Sequence, residues 1–263
     1  MPFVTMPNAK VHYLKDGSGP PLVLLHGTGG DGFSHWGQVL GRLTPTHTVI
    51  CPDYAGSCPT SDDGIPLTLD LLIAQVIAVM DAEGLETVDL AGFSLGSVIA
   101  AALAARHPQR VRRLVLTAGL VGGSDTRATL LFDLWRDLIR LDPTQMARLI
   151  LLTNYSAGWL HARTTEQISK RVAAITKFTC WDGMARQAAL DATLDIRADL
   201  ANIQAPTLSL VGRHDQVVTP DQSQALLDGI ADARQICLDS GHMMPHEQPA
   251  AVAQAILDFI GAT

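Results

Sequence analysis

The pentapeptide 92–96, Gly-Phe-Ser-Leu-Gly, places a serine between two glycines at the junction of two predicted elements. The apolar run 87–91 before it is typical of a buried strand, and the alanine- and leucine-rich stretch 98–106 favours a helix. Such a turn exposes the Ser94 hydroxyl and puts the Leu95 amide at a helix N-terminus, where negative charge is stabilised. The pattern predicts Ser94 as a nucleophile and Leu95 as an oxyanion donor.

An acid and a base follow two predicted strands farther along the chain. The run 206–211 leads into Asp215, and the run 234–238 is followed by His242. A serine hydroxyl is a poor nucleophile at neutral pH, so a histidine must accept its proton and a carboxylate must orient that histidine. The order Ser94, Asp215, His242 therefore predicts a catalytic triad.

Other residues compete for the roles of acid and base. Asp215 could instead cap the helix that follows it, and Asp125 or Asp191 could then serve as the acid. For the base, His246 lies four residues after His242. Residue types alone leave these alternatives open.

A glycine-containing loop, His-Gly-Thr-Gly-Gly at 26–30, follows the apolar run 21–25. Its glycines let backbone amides approach a ligand closely. We expect the Thr28 amide to complete an oxyanion hole with Leu95. His26 is expected to order this loop by hydrogen bonding.

The chain resembles the α/β-hydrolase family, in its serine-hydrolase branch, over nearly its whole length. Five segments carry the resemblance: the dipeptide 26–27, the loop 52–57, the pentapeptide 92–96, the acid segment 205–215 and the histidine segment 241–249. The resemblance implies that Ser94, Asp215 and His242 are catalytic and that His246 is not. Cys58 departs from the family pattern, which usually has a glycine there. The layout is similar to enol-lactonases and small carboxylesterases.

Alternating strands and helices predict an α/β fold with a doubly wound, mostly parallel sheet of about eight strands. The run 11–14 is predicted to be an early edge strand. The segment 120–199 has helical spacing and no strand alternation, so we interpret it as a helical cap inserted after the sixth strand, 113–117. The hydrolase core then comprises residues 1–119 and 200–263.

Large apolar side chains predict the character of the substrate. Trp135, Trp159 and Trp181 fall in the predicted cap, and Met243 follows the base. These residues favour an apolar or aromatic ligand. The alternative is that each tryptophan only packs the cap against the core.

Composition and net charge limit the classes of molecule that the protein is expected to bind. The net charge of −7 argues against nucleic acid and anionic membranes, which attract basic surfaces. No apolar run is long enough to span a bilayer, and residues 1–10 lack the features of a secretory signal. We therefore expect a cytoplasmic protein that acts on a small-molecule substrate, and a homo-oligomer stays open.

The cysteines and the spacing of metal-ligating residue types predict no bound metal. Cys51, Cys58, Cys180 and Cys237 show no C-x-x-C spacing, which argues against a zinc site and gives no disulfide framework. Cys58 is the candidate reactive thiol, because it lies near the predicted pocket. We expect neither a metal nor a cofactor.

These features lead to a serine hydrolase that cleaves a small, apolar ester or lactone through an acyl-enzyme on Ser94. Two alternatives keep the fold: a carbon–carbon bond hydrolase or acyltransferase, and a receptor-like binding protein with little turnover. A serine at the turn disfavours the epoxide-hydrolase and dehalogenase branches, whose nucleophile is a carboxylate.

Overall fold

The computed structural model describes residues 2–122 and 126–261, which form one sheet and the helices around it. The strands are β1 (Phe3–Met6), β2 (Ala9–Asp16), β3 (Pro21–Leu25), β4 (Thr48–Asp53), β5 (Ser61–Asp62), β6 (Val88–Phe93), β7 (Val111–Thr117), β8 (Thr207–Gly212) and β9 (Ala233–Leu238). The helices are α1 (Gly32–Leu43), α2 (Leu69–Ala82), α3 (Leu95–Arg106), α4 (Thr126–Leu141), α5 (Pro143–Asn154), α6 (Ala157–His161), α7 (Thr165–Phe178), α8 (Trp181–Asp191), α9 (Arg197–Leu200), α10 (Pro220–Leu227), α11 (Met244–Glu247) and α12 (Pro249–Ile260).

The sheet is mostly parallel, as predicted. Its strand order is β1-β2-β4-β3-β6-β7-β8-β9, with β5 paired to β2. The neighbouring strands in the part β4-β3-β6-β7-β8-β9 of this order are all parallel. In contrast, β2 pairs antiparallel with β1, β4 and β5. Two hydrophobic clusters, one with α2 and α3 and the other with α1 and α12, cover the sheet. The prediction of a doubly wound α/β fold is confirmed.

The prediction that residues 11–14 form an edge strand is wrong. Residues 11–14 lie within β2, which has β1 on one side and β4 on the other. The true edge, β1, has only four residues and alternates between exposed and half-buried positions. Such a short strand lacks the apolar run that marks the inner strands, so the sequence pattern did not indicate it.

The central strands and α3 form the buried centre of the molecule. All six residues of β6 are buried, and so are the six of β8. Every residue of α3 except the terminal Arg106 is buried. A helix that is apolar all around belongs in a core, so the turn between β6 and α3 is fixed from both ends.

Helices occupy the chain between β7 and β8, and the described residues of that segment contain no strand. Buried side chains of α4, α5 and α8 pack into the same cluster as α3; they are Ala128, Phe132, Trp135, Ile139, Met146, Met184 and Leu190. The helical character agrees with the cap interpretation. The boundaries 120–199 stay a prediction.

A disulfide between Cys58 and Cys180 joins the loop after β4 to the residue before α8. The expectation of no disulfide is therefore wrong, and Cys58 is not the free thiol for which it was a candidate. The two cysteines are 122 residues apart, and only the fold brings their Cα atoms to 6.0 Å. The cytoplasmic location stays a prediction, and disulfides are rare in that compartment.

Within the ranges 2–122 and 126–261, no helix combines the length and the hydropathy that crossing a membrane requires.

Backbones cross without intervening side chains where β6 turns into α3. A Cβ atom at Gly96 would lie 2.4 Å from the carbonyl oxygen of Leu25, and one at Gly92 would lie 2.2 Å from the Gly96 oxygen. Contacts this short with backbone atoms leave no room for a side chain. The two glycines of the pentapeptide are therefore required by packing.

Replacing Gly96 by alanine is expected to lower the free energy of unfolding by about 1–3 kcal/mol, because the added methyl group must displace β3. Chemical denaturation measures this loss. Gly158→Ala is the matched control, since Gly158 is an exposed helical glycine and a methyl group added there would have no atom within 4 Å. Equal stability of the two variants would contradict the packing argument.

Candidate active site

Ser94 lies at the turn between β6 and α3 in a strained backbone conformation. Its φ of 54° and ψ of −119° fall in a region that residues with a side chain rarely adopt. The Ser94 amide donates a 2.9 Å hydrogen bond to the Thr117 carbonyl at the end of β7, which fixes the turn to the next strand. The side chain is partly exposed beside fully buried neighbours. This geometry presents the hydroxyl as the pentapeptide predicts.

Asp215 and His242 form a buried pair. The Nδ1 atom of His242 lies 2.8 Å from Oδ2 of Asp215, and both side chains are nearly inaccessible. The other carboxylate oxygen accepts hydrogen bonds from the amides of Val217, at 2.8 Å, and Val218, at 2.9 Å. Because its oxygens are occupied in this way, Asp215 holds one imidazole edge and leaves Nε2 of His242 for another partner.

The loop that carries His242 is anchored next to the serine turn. The Gly241 amide donates to Oε1 of Glu247 at 3.0 Å, which fixes the backbone just before His242. The ring of Phe93, the residue before Ser94, has its centroid 5.0 Å from that of His242. The three predicted triad residues therefore lie at the same edge of the sheet, after β6, β8 and β9.

The loop 26–30, which we call the oxyanion loop, adjoins the same turn. A Cβ atom at Gly27 would lie 3.1 Å from the Cβ of Ser94. On either side of Thr28 the amides are occupied: Gly27 donates to Nδ1 of His35 at 2.9 Å, and Gly29 donates to Oε1 of Gln187 at 2.8 Å. These bonds hold the Thr28 amide between two fixed neighbours, and the Leu95 amide begins α3.

His246, the competing base, is occupied elsewhere. Its Nε2 donates to the Ser34 carbonyl at 2.8 Å, and its Nδ1 faces Nη2 of Arg171 at 2.6 Å and the Tyr155 hydroxyl at 2.8 Å. Burial, together with the Arg171 charge, lowers the pKa of His246 to about 4. It is thus a neutral histidine that spans α1 and α7, with neither nitrogen turned toward Asp215.

Of the two competing acids, Asp191 is hydrogen-bonded to a residue other than His242. Asp191 ends α8, where its Oδ2 accepts the Thr28 hydroxyl at 2.5 Å. Burial raises the pKa of Asp191 to about 7. The other candidate, Asp125, lies outside the described residues.

A cavity of about 480 Å³ opens beside the oxyanion loop. Thr28 and Gly29 line one side, and its apolar wall includes Trp135, Ile150, Ile175, Phe178, Met184 and Met243. Phe33 and Phe178 line the cavity and are largely exposed, at 69% and 74%. They mark its opening to solvent.

Two of the four predicted substrate-binding residues lie away from this wall. Trp159 stacks on Tyr155 with ring centroids 4.1 Å apart, and the guanidinium of Arg163 covers its ring. Trp181 is half-buried at the start of α8 and donates its indole N–H to the Thr176 carbonyl at 3.0 Å. Both tryptophans are partly buried against the hydrophobic clusters of the core, which agrees with the alternative that the sequence left open.

Sequence reasoning missed several polar residues near the cavity. His35 lines the wall, and burial near other histidines lowers its pKa well below the usual value. Arg171 and Tyr155 face the cavity and are joined by a 2.5 Å hydrogen bond. Gln187 contacts the oxyanion loop from α8. None belongs to a motif, so their positions depend on the fold alone.

Among the described residues, no three His, Cys, Asp or Glu side chains come together where they could hold a metal ion. The polar groups around the serine turn are suited instead to proton transfer and to binding an oxygen anion.

The chain is similar to hydrolases of several kinds. A family model described as alpha/beta hydrolase fold matches residues 20–249. Pyrrolizixenacetamide deacetylase of Xenorhabdus hominickii is 38% identical over 257 residues, 98% of this chain and 97% of that protein. The 2-hydroxymuconate semialdehyde hydrolase of Pseudomonas sp. strain CF600 is 30% identical over 93% of this chain and 88% of its own. The enol-lactonase structure from Burkholderia xenovorans LB400 has a TM-score of 0.89 at 26% identity, covering 99% and 100% of the two chains.

The raised pKa of Asp191 predicts a stability that depends on pH. An aspartate whose ordinary pKa is 3.8 ionises near 7 in the fold, so in this window the unfolded chain binds fewer protons and stability falls as pH rises. Asp191→Asn keeps an acceptor for Thr28 and removes the titration. Relative to this variant, the native protein should lose roughly 2–3 kcal/mol between pH 5 and pH 8.

Urea denaturation at the two pH values measures the difference. Asp182→Asn, an exposed carboxylate at the other end of α8, is the control and should leave the pH dependence of the native protein unchanged. If Asp191→Asn and the native protein show parallel pH profiles, Asp191 ionises normally.

Proposed function

Because the chain belongs to the alpha/beta hydrolase fold family, as its motifs indicated, we propose that it is a serine hydrolase with Ser94 as the nucleophile. The observation that carries this proposal is the buried pair of His242 and Asp215 at the sheet edge where the strained Ser94 turn presents its hydroxyl. A carboxylate that orients an imidazole beside a serine hydroxyl can activate that hydroxyl as a nucleophile.

The chemistry follows from the groups at the site. Nε2 of His242 accepts the hydroxyl proton while Oγ of Ser94 attacks the substrate carbonyl, and Asp215 stabilises the imidazolium that forms. The amides of Thr28 and Leu95 bind the oxyanion of the tetrahedral intermediate. Its collapse breaks the bond to the leaving group, which takes the proton from His242. Water then attacks the acyl-enzyme by the same route and releases the acid.

The cavity supports a small, largely apolar substrate. Its wall combines aliphatic, aromatic and methionine side chains, among them Trp135 and Met243. A volume of about 480 Å³ suits a compact ligand and not a polymer. We propose an ester or lactone whose apolar part fills this cavity, with neither cofactor nor metal in the reaction.

Hydrolysis of an N-acetyl group is the second candidate. A relative named as a deacetylase is 38% identical over nearly the whole chain. Cleaving an acetyl amide would use the same acyl-enzyme, but His242 would have to protonate an amine leaving group. Assaying acetylated amines beside acetate esters separates the two substrate classes.

Ser94→Ala should abolish turnover of p-nitrophenyl acetate, because the proposed acyl-enzyme forms on the Ser94 hydroxyl. The measurement is the release of nitrophenol, with circular dichroism as the check on folding. Labelling with an organophosphonate and peptide mass spectrometry locates the nucleophile. Ser18→Ala, at an exposed serine, is the control and should keep full activity and labelling. Activity in Ser94→Ala, or a label on another residue, would contradict the mechanism.

Asp215→Asn should lower kcat roughly 10,000-fold, because the amide favours the wrong imidazole tautomer and does not stabilise the imidazolium. Asp239→Asn is a matched control: Asp239 also lies 2.8 Å from a histidine, His214, but this pair is exposed to solvent. Steady-state kinetics of both variants should show the loss only at the buried pair. Comparable kcat values would remove Asp215 from the mechanism.

A further inference from the structure

Helix α8 of the segment 120–199 lies in close contact with two loops of the sheet edge, one through its backbone and the other through the Met184 side chain. A Cβ atom at Gly183 would lie 2.0 Å from the Gly56 carbonyl oxygen. One at Gly29, in the oxyanion loop, would lie 2.6 Å from the sulfur of Met184. Glycines on both sides of the contact allow α8 to approach more closely than ordinary side chains would permit.

Gln187 uses its whole amide at this contact. It is fully buried, and its Oε1 accepts the Gly29 amide at 2.8 Å. Its Nε2 donates to the Ala55 carbonyl and to Oγ of Ser57, both at 3.1 Å. The partners fix the orientation of the side-chain amide, since reversing it would face the Nε2 donor with the Gly29 N–H and the Oε1 acceptor with the Ala55 carbonyl.

A chain of hydrogen bonds continues from Gln187 to the other side of the oxyanion loop. His26 is buried, which lowers its pKa and keeps it neutral, and its Nδ1 donates to the Gly27 carbonyl at 2.8 Å. Its Nε2 must then accept, so the Ser57 hydroxyl, 3.3 Å away, donates to it. The Ser57 oxygen is left to accept from Gln187. The Gly27 carbonyl and the Thr28 N–H belong to one planar peptide, so holding the carbonyl aims the N–H.

We propose that Gln187 is a positioning residue: its hydrogen bonds hold the residues on both sides of Thr28 and so set the direction of the Thr28 N–H. It acts directly on Gly29 and, through Ser57 and His26, on the Gly27 carbonyl. The inference rests on the proposed function, in which that amide binds the oxyanion. A donor fixed before the reaction stabilises the developing charge without reorganising, so losing its supports raises the barrier of the chemical step.

The test replaces Gln187 by methionine, which has similar length and no hydrogen-bonding amide. We expect kcat for p-nitrophenyl acetate to fall roughly 10- to 100-fold, less than the loss expected when an oxyanion donor is deleted outright. The KM should change less than twofold, because the amide acts in the transition state. Ser57→Ala, which interrupts only the branch through His26, should give a smaller fall in kcat. Affinity for a trifluoromethyl ketone, which forms a tetrahedral adduct, should fall in parallel with kcat/KM.

Two measurements separate this role from a general loosening of α8. The kcat of each variant is calculated per site that an organophosphonate labels. Misfolded protein is not labelled, so it does not lower this value. Arg186→Met is the matched control, since Arg186 fastens the same helix to Asp62 and the Ile65 carbonyl without reaching the oxyanion loop. Equal kcat per labelled site in the Gln187 and Arg186 variants would overturn the inference. Failure of the native protein to be labelled at Ser94 would instead overturn the proposed function.

Discussion

The close crossing of β3, β6 and α3 determines the geometry of the serine turn and of the loop next to it. Gly96 lies against the last carbonyls of β3, and Gly92 lies against the first turn of α3. Holding Ser94 at a φ of 54° costs about 1–3 kcal/mol, which the surrounding packing must offset. Because the oxyanion loop starts where β3 ends, the same crossing sets the distance between Ser94 and the backbone amides of that loop.

Sequence patterns predicted the parts of this molecule that local chemistry specifies. The bounds of β3 are those of its apolar run, and Asp215 and His242 follow the strands β8 and β9 that their apolar runs predicted. Contacts between distant segments left no such signal. Gln187 meets Gly29 across 158 positions, and the amide of a glutamine inside an amphipathic helix looks like any solvated side chain. Whether Trp159 and Trp181 reach the cavity wall likewise depends on how the helices pack, which the sequence pattern did not indicate.

Four histidines near the serine turn differ in role because their surroundings differ. His26 is bound to the oxyanion loop, His35 accepts from Gly27, and His246 joins a carbonyl of α1 to Arg171. Burial lowers the pKa of each, so all three serve as neutral hydrogen-bonding groups. His242 alone among these four contacts a carboxylate, the arrangement that lets a histidine take up a proton during a reaction.

The disulfide limits how a ligand can reach the cavity. Cys58 and Cys180 join the β4 loop to the start of α8, and in the chain-entropy picture closing a ring of 122 residues removes about 5 kcal/mol of freedom from the unfolded chain. While the bond is intact, the start of α8 stays tied to the loop after β4, which restricts outward movement of this helix. Phe33 and Phe178 stand exposed at the rim of the cavity, so the width of this opening limits which ligands can enter before any chemistry begins.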